Sequence, residues 1–332
     1  MNRRFLFKLL KPALAALATL ALGTALPSMA QDKPTIKILV GFPPGGLSDN
    51  LARMMAERLR DKLGQSVIVE NRPGVGGRLA AQAVKASGPN GNTYMIAPNA
   101  TFTFQHLTYP VSVLGYDMTT DFTSIGQIMS YPMTMVVSSG INVKNAKDYV
   151  AWAKANPGKA NYGTAGAGGD THFNGLQFGK LAGLDMQVVP YRGNAPLVVD
   201  ILGGQIQTGV MTAGDAIQHI RAGKMAAVGI FANARSPLMP EVPTMKEQGF
   251  DTGGTDGWMG MWGPAGVPAA EVNRIASALQ AVLATPEVKE QIVNRFVAVA
   301  EFREGPVVDR QLRYELSHWG PIIKASGFTP QP

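Results

Sequence analysis

The chain has 332 residues, 45% hydrophobic and 16% charged, with 30 Lys+Arg, 23 Asp+Glu and no cysteine. Lack of cysteine excludes disulfides, a thiolate nucleophile and Cys-ligated metal, so stability must come from a core that a chain this long can bury. After the first thirty residues, 26 Lys+Arg face 23 Asp+Glu, a net +3 with no blocks of like sign, which leaves no footprint for nucleic acid.

Those first thirty residues read as a leader. Arg3, Arg4, Lys8 and Lys11 precede an almost wholly apolar run from Ala13 to Leu26, and Ser28-Met29-Ala30 offers small residues at the −3 and −1 positions of a cleavage site. This predicts a secretory signal peptide cleaved after Ala30 and an exported, periplasmic product. The apolar run is shorter than the ~20 residues of a spanning helix. Arg3-Arg4 resembles a twin-arginine start, but basic leaders contain this pair by chance and the general secretory route is expected.

From Lys33 the pattern alternates strand and helix. Lys33–Phe42 holds a β-like apolar run. Ser48–Leu63 places Leu51, Met54, Met55, Leu59 and Leu63 on one helical face, with Ser48 or Asp49 as N-cap and Gly64 just past the end. Ser66–Glu70 predicts a strand, Leu79–Ala86 a short helix, and Thr93–Ala97 a strand followed by a polar turn at Pro98-Asn99. Met133–Val137, Met186–Val189 and Ala227–Phe231 read as strands. Ala146–Ala155 and Ala195–Leu202 read as helices closed by Asn156-Pro157-Gly158 and Gly203-Gly204, and Ala269–Phe296 as two helices broken at Thr285-Pro286. Strands alternating with helices predict an α/β fold with mostly parallel sheets, and the length predicts two domains.

The connections carry the chemistry. In α/β sheets ligands bind at the carboxyl ends of strands, where helix starts present free N–H groups and partial positive charge. GFPPGGLSDN (residues 41–50) sits between a strand and a helix: it is either a tight connection or a backbone shaped to hold something. NYGTAGAGGDT (161–171) again precedes a plausible helix and adds Thr164 and Thr171, and Tyr191-Arg192-Gly193-Asn194 leads into a third helix. Several donor-rich helix starts in one chain suit an anionic ligand.

Other chemistries lack their residues. Gly74-Val75-Gly76-Gly77 is half a dinucleotide fingerprint, without its third glycine. There is no GxxxxGK[ST] and no GxSxG elbow. His106, His172, His219 and His318 have no metal-ligand spacing, and only His172 falls in a Gly-rich loop. No metal, cofactor or catalytic residue is expected.

GFPPGGLSDNLA, VIVENRPGVGG, VVPYRGNAP, DILGGQI and PEVPTM, in this order, resemble the periplasmic solute-binding receptors of tripartite tricarboxylate transporters, the Bug-type family, from about Lys33 to Gly327. The resemblance implies a two-lobed periplasmic binding protein of type II, a Venus flytrap with two crossings. The lobes would be residues 31–134 plus 256–332, and 135–255. It implies ligand contacts at Phe42, Gly46, Leu47, Ser48, Asn99 and Thr101 in the first lobe, and at Thr164, Ala165, Gly166, Thr171, His172, Arg192, Met211 and Asp215 in the second. Trp258, near the second crossing, is implied as a further ligand contact.

It also implies a small organic carboxylate as ligand, membrane permease subunits as partners, and a monomer without enzymatic activity. Departures from the family pattern at Leu47, Met211 and Trp262, beside Arg192, suggest a dicarboxylate with an apolar or aromatic middle, such as terephthalate. Arg192 offers a planar fork to a carboxylate, so its loss should weaken binding more than about tenfold, roughly 1.4 kcal/mol. Asp170 and Asp215 argue against a wholly cationic pocket: they could cap helices or meet a ligand amine or a water. Two alternatives stay open, an exported α/β enzyme acting on a small carboxylate and a receptor for a sensor kinase.

Overall fold

The computed structural model describes residues 33–330. The leader and its cleavage site lie outside the described residues. In chain order the first elements are strand β1 (Ile36–Val40), helix α1 (Leu47–Leu63), β2 (Val67–Asn71), α2 (Arg78–Ala86), β3 (Thr93–Pro98), α3 (Asn99–Thr108), α4 (Val111–Leu114) and β4 (Phe122–Tyr131). Then come β5 (Met133–Ser138), α5 (Ala146–Ala155), β6 (Tyr162–Thr164), α6 (Asp170–Ala182), β7 (Val188–Pro190), α7 (Asn194–Leu202), β8 (Thr208–Thr212), α8 (Ala213–Arg221) and β9 (Met225–Ile230). The chain ends with β10 (Gly257–Pro264), α9 (Ala269–Ala284), α10 (Pro286–Phe296), β11 (Val299–Glu304) and α11 (Gly305–Ser326).

The strands form two sheets, β11-β4-β10-β3-β1-β2 and β7-β6-β8-β5-β9. The mostly parallel expectation is corrected: β1 pairs parallel with β2 and β3, and β6 with β7 and β8, but β10 and β4 run antiparallel to their neighbours, as does β5. The reason is connectivity. β4 ends at Tyr131, and only Pro132 separates it from β5 in the other sheet. β4 itself runs in the direction of β1 and β3, with β10 reversed between them; the strands that enter a sheet from the other one, β5 and β10, run against the crossover-linked strands there.

Local signals explain most elements. In α1 the predicted apolar face is buried at Leu51, Met54, Met55 and Leu59, Asp49 sits in the first turn, and Gly64 adopts φ 56° to return its N–H to Arg60 O. The helix starts at Leu47 with Gly46 as cap, not at Ser48 or Asp49. Asp49 instead turns back to accept from Gly45 N at 2.8 Å and Asn71 Nδ2 at 2.8 Å, which ties the loop after β1 to the end of β2. Pro286 opens α10 where the break was predicted. The expected turn at Pro98-Asn99 is the start of α3.

Each sheet is covered on both faces. On the first, Ile38, Val40, Leu51, Met55, Met259 and Met261 share one cluster with Leu279 and Ile292, while Leu39, Met95, Phe102, Trp258 and Trp262 share another. The second divides likewise, Met135, Tyr149, Tyr162 and Val210 on one side and Val136, Leu197 and Met211 on the other. A smaller cluster of Phe104, Phe173, Trp319 and Ile323 joins α3, α6 and α11. Its rings are in contact, Phe104 and Phe173 stacking at 5.9 Å.

Candidate functional site

Five helices begin at one cavity of about 530 Å³, lined by Gly46–Ser48 at the start of α1, Pro98, Ala100 and Thr101 at α3, Gly169–Thr171 at α6, Gly193–Ala195 at α7, and Thr212 with Asp215 at α8. The N-cap residues are Gly46, Pro98, Gly169, Gly193 and Thr212, and none accepts a side-chain capping bond from its helix. Glycine and proline, at four of the five caps, have no side-chain acceptor to offer, so first-turn N–H groups are left without a cap acceptor, although at α6 the Thr171 N–H is taken by Asp170. Each helix also brings partial positive charge. Among the described lining residues there is no Lys, Arg or His. An anion here is met by backbone dipoles and hydroxyls.

The walls are largely apolar. Phe42, Pro43, Leu47, Phe104 and Met259 line the side built on the first sheet, and Ala165, Ala167 and Ala195 the side built on the second. Close backbone packing sets the first wall: a Cβ on Gly41 would lie 2.3 Å from Gly77 Cα, and one on Gly77, at φ 93°, would meet Thr101 Oγ1 at 2.8 Å. Thr101 Oγ1 in turn donates to Gly76 O at 2.9 Å. The GVGG stretch thus shapes the ligand wall, a use that reading it as a failed nucleotide fingerprint missed. Phe104, Gln105, Tyr131 and Met259 were missed as well.

Of the residues singled out from sequence, Phe42, Gly46, Leu47, Ser48, Thr101, Ala165, Gly166, Thr171 and Asp215 meet around this cavity. The others stand behind it or away from it. Thr164 is buried beneath the 165–169 loop; its hydroxyl hydrogen-bonds that of Thr171 and its carbonyl accepts from Tyr191 N at 2.8 Å. His172 is 4% exposed, stacks on Phe173 at 4.8 Å and accepts from Gly168 N through Nδ1 at 2.9 Å. It fixes the Gly-rich loop. Burial pushes its pKa down to about 4, so it is neutral there.

Asn99 and Trp258 meet at Glu315. That fully buried carboxylate accepts from Asn99 Nδ2 (3.1 Å), Thr103 Oγ1 (2.7 Å), Trp258 Nε1 (2.7 Å) and Gln311 Nε2 (3.3 Å). Asn99 Oδ1 also accepts from Trp258 N at 3.4 Å. Both residues therefore join the start of α3 to strand β10 and to α11. Met211 is buried among Val136, Leu197 and Ile201, and Trp262 lies 4.4 Å from the Phe102 ring. Neither lines the cavity, and neither does Arg192, which is exposed on the loop before α7. Of the four residues on which the specificity reading rests, Leu47 lines the cavity and Met211, Trp262 and Arg192 do not.

The two acids of the cavity differ. Asp215 is exposed and accepts from Asn194 Nδ2 at 2.6 Å and from the Thr212 hydroxyl, tying the start of α7 to that of α8. Asp170 is recessed at the first turn of α6. Burial pushes its pKa up to about 6, the charge of Glu315 adds to this, and a bond from Thr171 N opposes it. Tyr131, which closes the cavity at the end of β4, is raised well above the usual tyrosine value by burial first and then by Asp170, Glu315 and Asp215.

A second cavity, of about 550 Å³, includes Tyr131, Pro132 and Trp258 but is otherwise lined by mixed charges, Arg235, Arg303 and Arg310 with Asp256 and Glu301. None of the five helix starts opens on it, and among the residues singled out from sequence only Trp258 borders it.

Comparison with known proteins agrees with this arrangement. Residues 51–328 match the model of the tripartite tricarboxylate transporter family receptor. An Agrobacterium vitis chain described as a UPF0065 protein in the TAR-I ttuE-ttuC' intergenic region is 31% identical over 94% of this chain and 91% of its own length. The solved structure of R. palustris Rpa4515 with adipate superposes with a TM-score of 0.80 at 26% identity, covering 91% of this chain and 100% of that one. MatC of Rhodopseudomonas palustris, solved with bound malate, superposes at 0.75 with 26% identity over 87% of this chain and 99% of its own. With two sheets joined by two crossings and a cavity ringed by helix starts, the chain belongs to the tripartite tricarboxylate transporter receptor family.

Proposed function

We propose that this protein is a periplasmic, non-enzymatic receptor that captures a dicarboxylate with an apolar or aromatic middle and hands it to the membrane permease of a tripartite transporter. The observation that carries the reading is the convergence of five uncapped helix starts on one cavity whose walls between them are apolar. Helix starts from both sheets give two separate places for a carboxylate, and Phe42, Leu47, Phe104 and Met259 suit the carbon skeleton between. Malate and adipate, in the solved structures of two relatives, are both dicarboxylates, and adipate has an apolar middle. An aromatic diacid such as terephthalate fits the same description.

The lobes are taken as residues 33–132 plus 257–330, and 133–256, slightly ahead of the sequence expectation at the first crossing because β5 begins at Met133. Closure follows if the ligand touches helix starts of both lobes only when they approach, since a ligand shifts a conformational equilibrium by its differential affinity. Micromolar capture needs about 8 kcal/mol. A few charge-assisted bonds at about 1.5–3 kcal/mol each, plus burial of the skeleton, reach that after ordering losses.

Calorimetric titration of the mature chain against aliphatic and aromatic diacids, citrate and amino acids tests the reading. Micromolar binding of adipate or terephthalate is expected. Preference for citrate or an amino acid would reject it, and turnover of the bound acid would restore the enzyme alternative.

A further inference from the structure

We propose that Asp170 holds one ligand carboxyl group through a shared proton, so that capture of a dicarboxylate by this cavity takes up one proton. The inference deepens the carboxylate reading above and rests on it. Asp170 lines the cavity at the first turn of α6, among the N–H groups offered to an anion. Its Oδ1 accepts from Thr171 N at 2.8 Å, and its own backbone N–H also bonds the carboxylate. Two ionised carboxylates cannot share such a site without a cation, and the described lining supplies none. One proton between them turns repulsion into a short hydrogen bond, as in acid pairs that share a proton.

The surroundings favour that proton. From α11, packed on α6, Glu315 adds negative charge. From α8 comes Asp215, also negative, and from β4 the Tyr131 hydroxyl, held neutral. Strand β6 contributes Tyr162, whose hydroxyl is committed to His172 O at 2.7 Å, and β7 and β8 contribute no charged residue. On α6 itself His172 is neutral and bonded to Gly168. Burial already places free Asp170 at about 6, and a neighbouring carboxylate moves it higher. Asp215 differs in that Asn194 Nδ2 and the Thr212 hydroxyl both donate to it.

The sign follows from linkage. Below about pH 6 free Asp170 already carries the proton, and binding takes up little. Above it, uptake approaches one proton and affinity falls by up to about tenfold per pH unit until the bound-state value is passed. The test is calorimetry of the mature chain with adipate and with terephthalate from pH 5.5 to 8.5, in phosphate and in Tris. The difference in heat between buffers counts protons.

Uptake near one proton at pH 7.5, with Kd rising at least tenfold between pH 6.5 and 8.5, is the expected result. Asp170→Asn, which supplies a neutral donor, should abolish uptake and bind at least fivefold tighter than the parent at pH 8.5. Binding with no uptake and a constant Kd overturns the proposal while leaving the carboxylate reading intact. So does loss of binding in Asp170→Asn together with preference for an amine-bearing acid, since Asp170 would then be an ionised partner of an ammonium group. Failure of both acids to bind at every pH rejects the carboxylate reading instead.

Discussion

Glu315 offers the sharpest test of how the cavity is held. The side chain is 0% exposed and faces no cation among its bonded partners; its charge is held by the four donors of Asn99, Thr103, Trp258 and Gln311. Three of these bonds are 3.1 Å or shorter, and bonds to a charged acceptor are worth about 1.5–3 kcal/mol each, much of which offsets the burial of the charge. Glu315→Ala removes the acceptor and leaves buried donors unpaired, so a loss of about 4 kcal/mol is expected. At roughly 2 °C per kcal/mol for a chain of this size, the Tm should fall by about 8 °C in scanning calorimetry. Glu315→Gln retains an acceptor but adds a donor among donors, and should lie about halfway. The ligand side of the same argument is that Asn99 opens α3 and Trp258 belongs to β10, so adipate binding should weaken at least threefold in Glu315→Ala. A Tm within 2 °C of the parent would show that the network neither stabilises the fold nor positions the α3 start.

Other expectations follow from single contacts. Gly41→Ala would drive a methyl into the Gly77 backbone, 2.3 Å away, and should cost about 2 kcal/mol by urea denaturation while weakening adipate binding by displacing the first wall. His172 is held neutral with a pKa of about 4, below its unfolded value near 6.5, so its contribution is complete above pH 6.5 and is lost as pH falls through 4. Urea denaturation should show up to about 3 kcal/mol of this loss, and His172→Gln should flatten the slope between pH 6.5 and 4. Arg192→Ala should change Kd by less than about threefold, because the guanidinium stands outside the cavity lining; a tenfold loss by titration would return Arg192 to the site.

What could be read in advance was local. A Gly-rich turn, a capping position and a 3.6-residue apolar period lie within a few residues of one another, so α1, α6 and α7 and the loops before them were legible in GFPPGGLSDN, NYGTAGAGGDT and YRGNAP. The helix α3 was not: NATFTFQHLT is rich in aromatic and β-branched residues and follows a proline, and only a polar turn was read at its start. Tertiary packing against α11 decides it, through Phe104 on Trp319 and Thr103 on Glu315.

Which face of a strand borders the cavity was the hidden part, and it explains why Trp262 and Met211 do not line it. β10 reads GWMGMWGP, and all eight of its residues are buried because both faces of the sheet are covered. With no polar face, alternation gives no sign of inside or outside. Parity alone assigns them: Met259 and Met261 pack with β1 and α1, while Trp258 and Trp262 pack with Phe102 on the opposite side. The same rule turns Val210 toward Tyr149 and Met211 toward Leu197 in β8. A substitution at Trp262 or Met211 therefore acts on stability before it reaches the guest. Met259, on the other parity, borders the cavity with Leu47 and gives its wall an apolar side chain from the sheet itself.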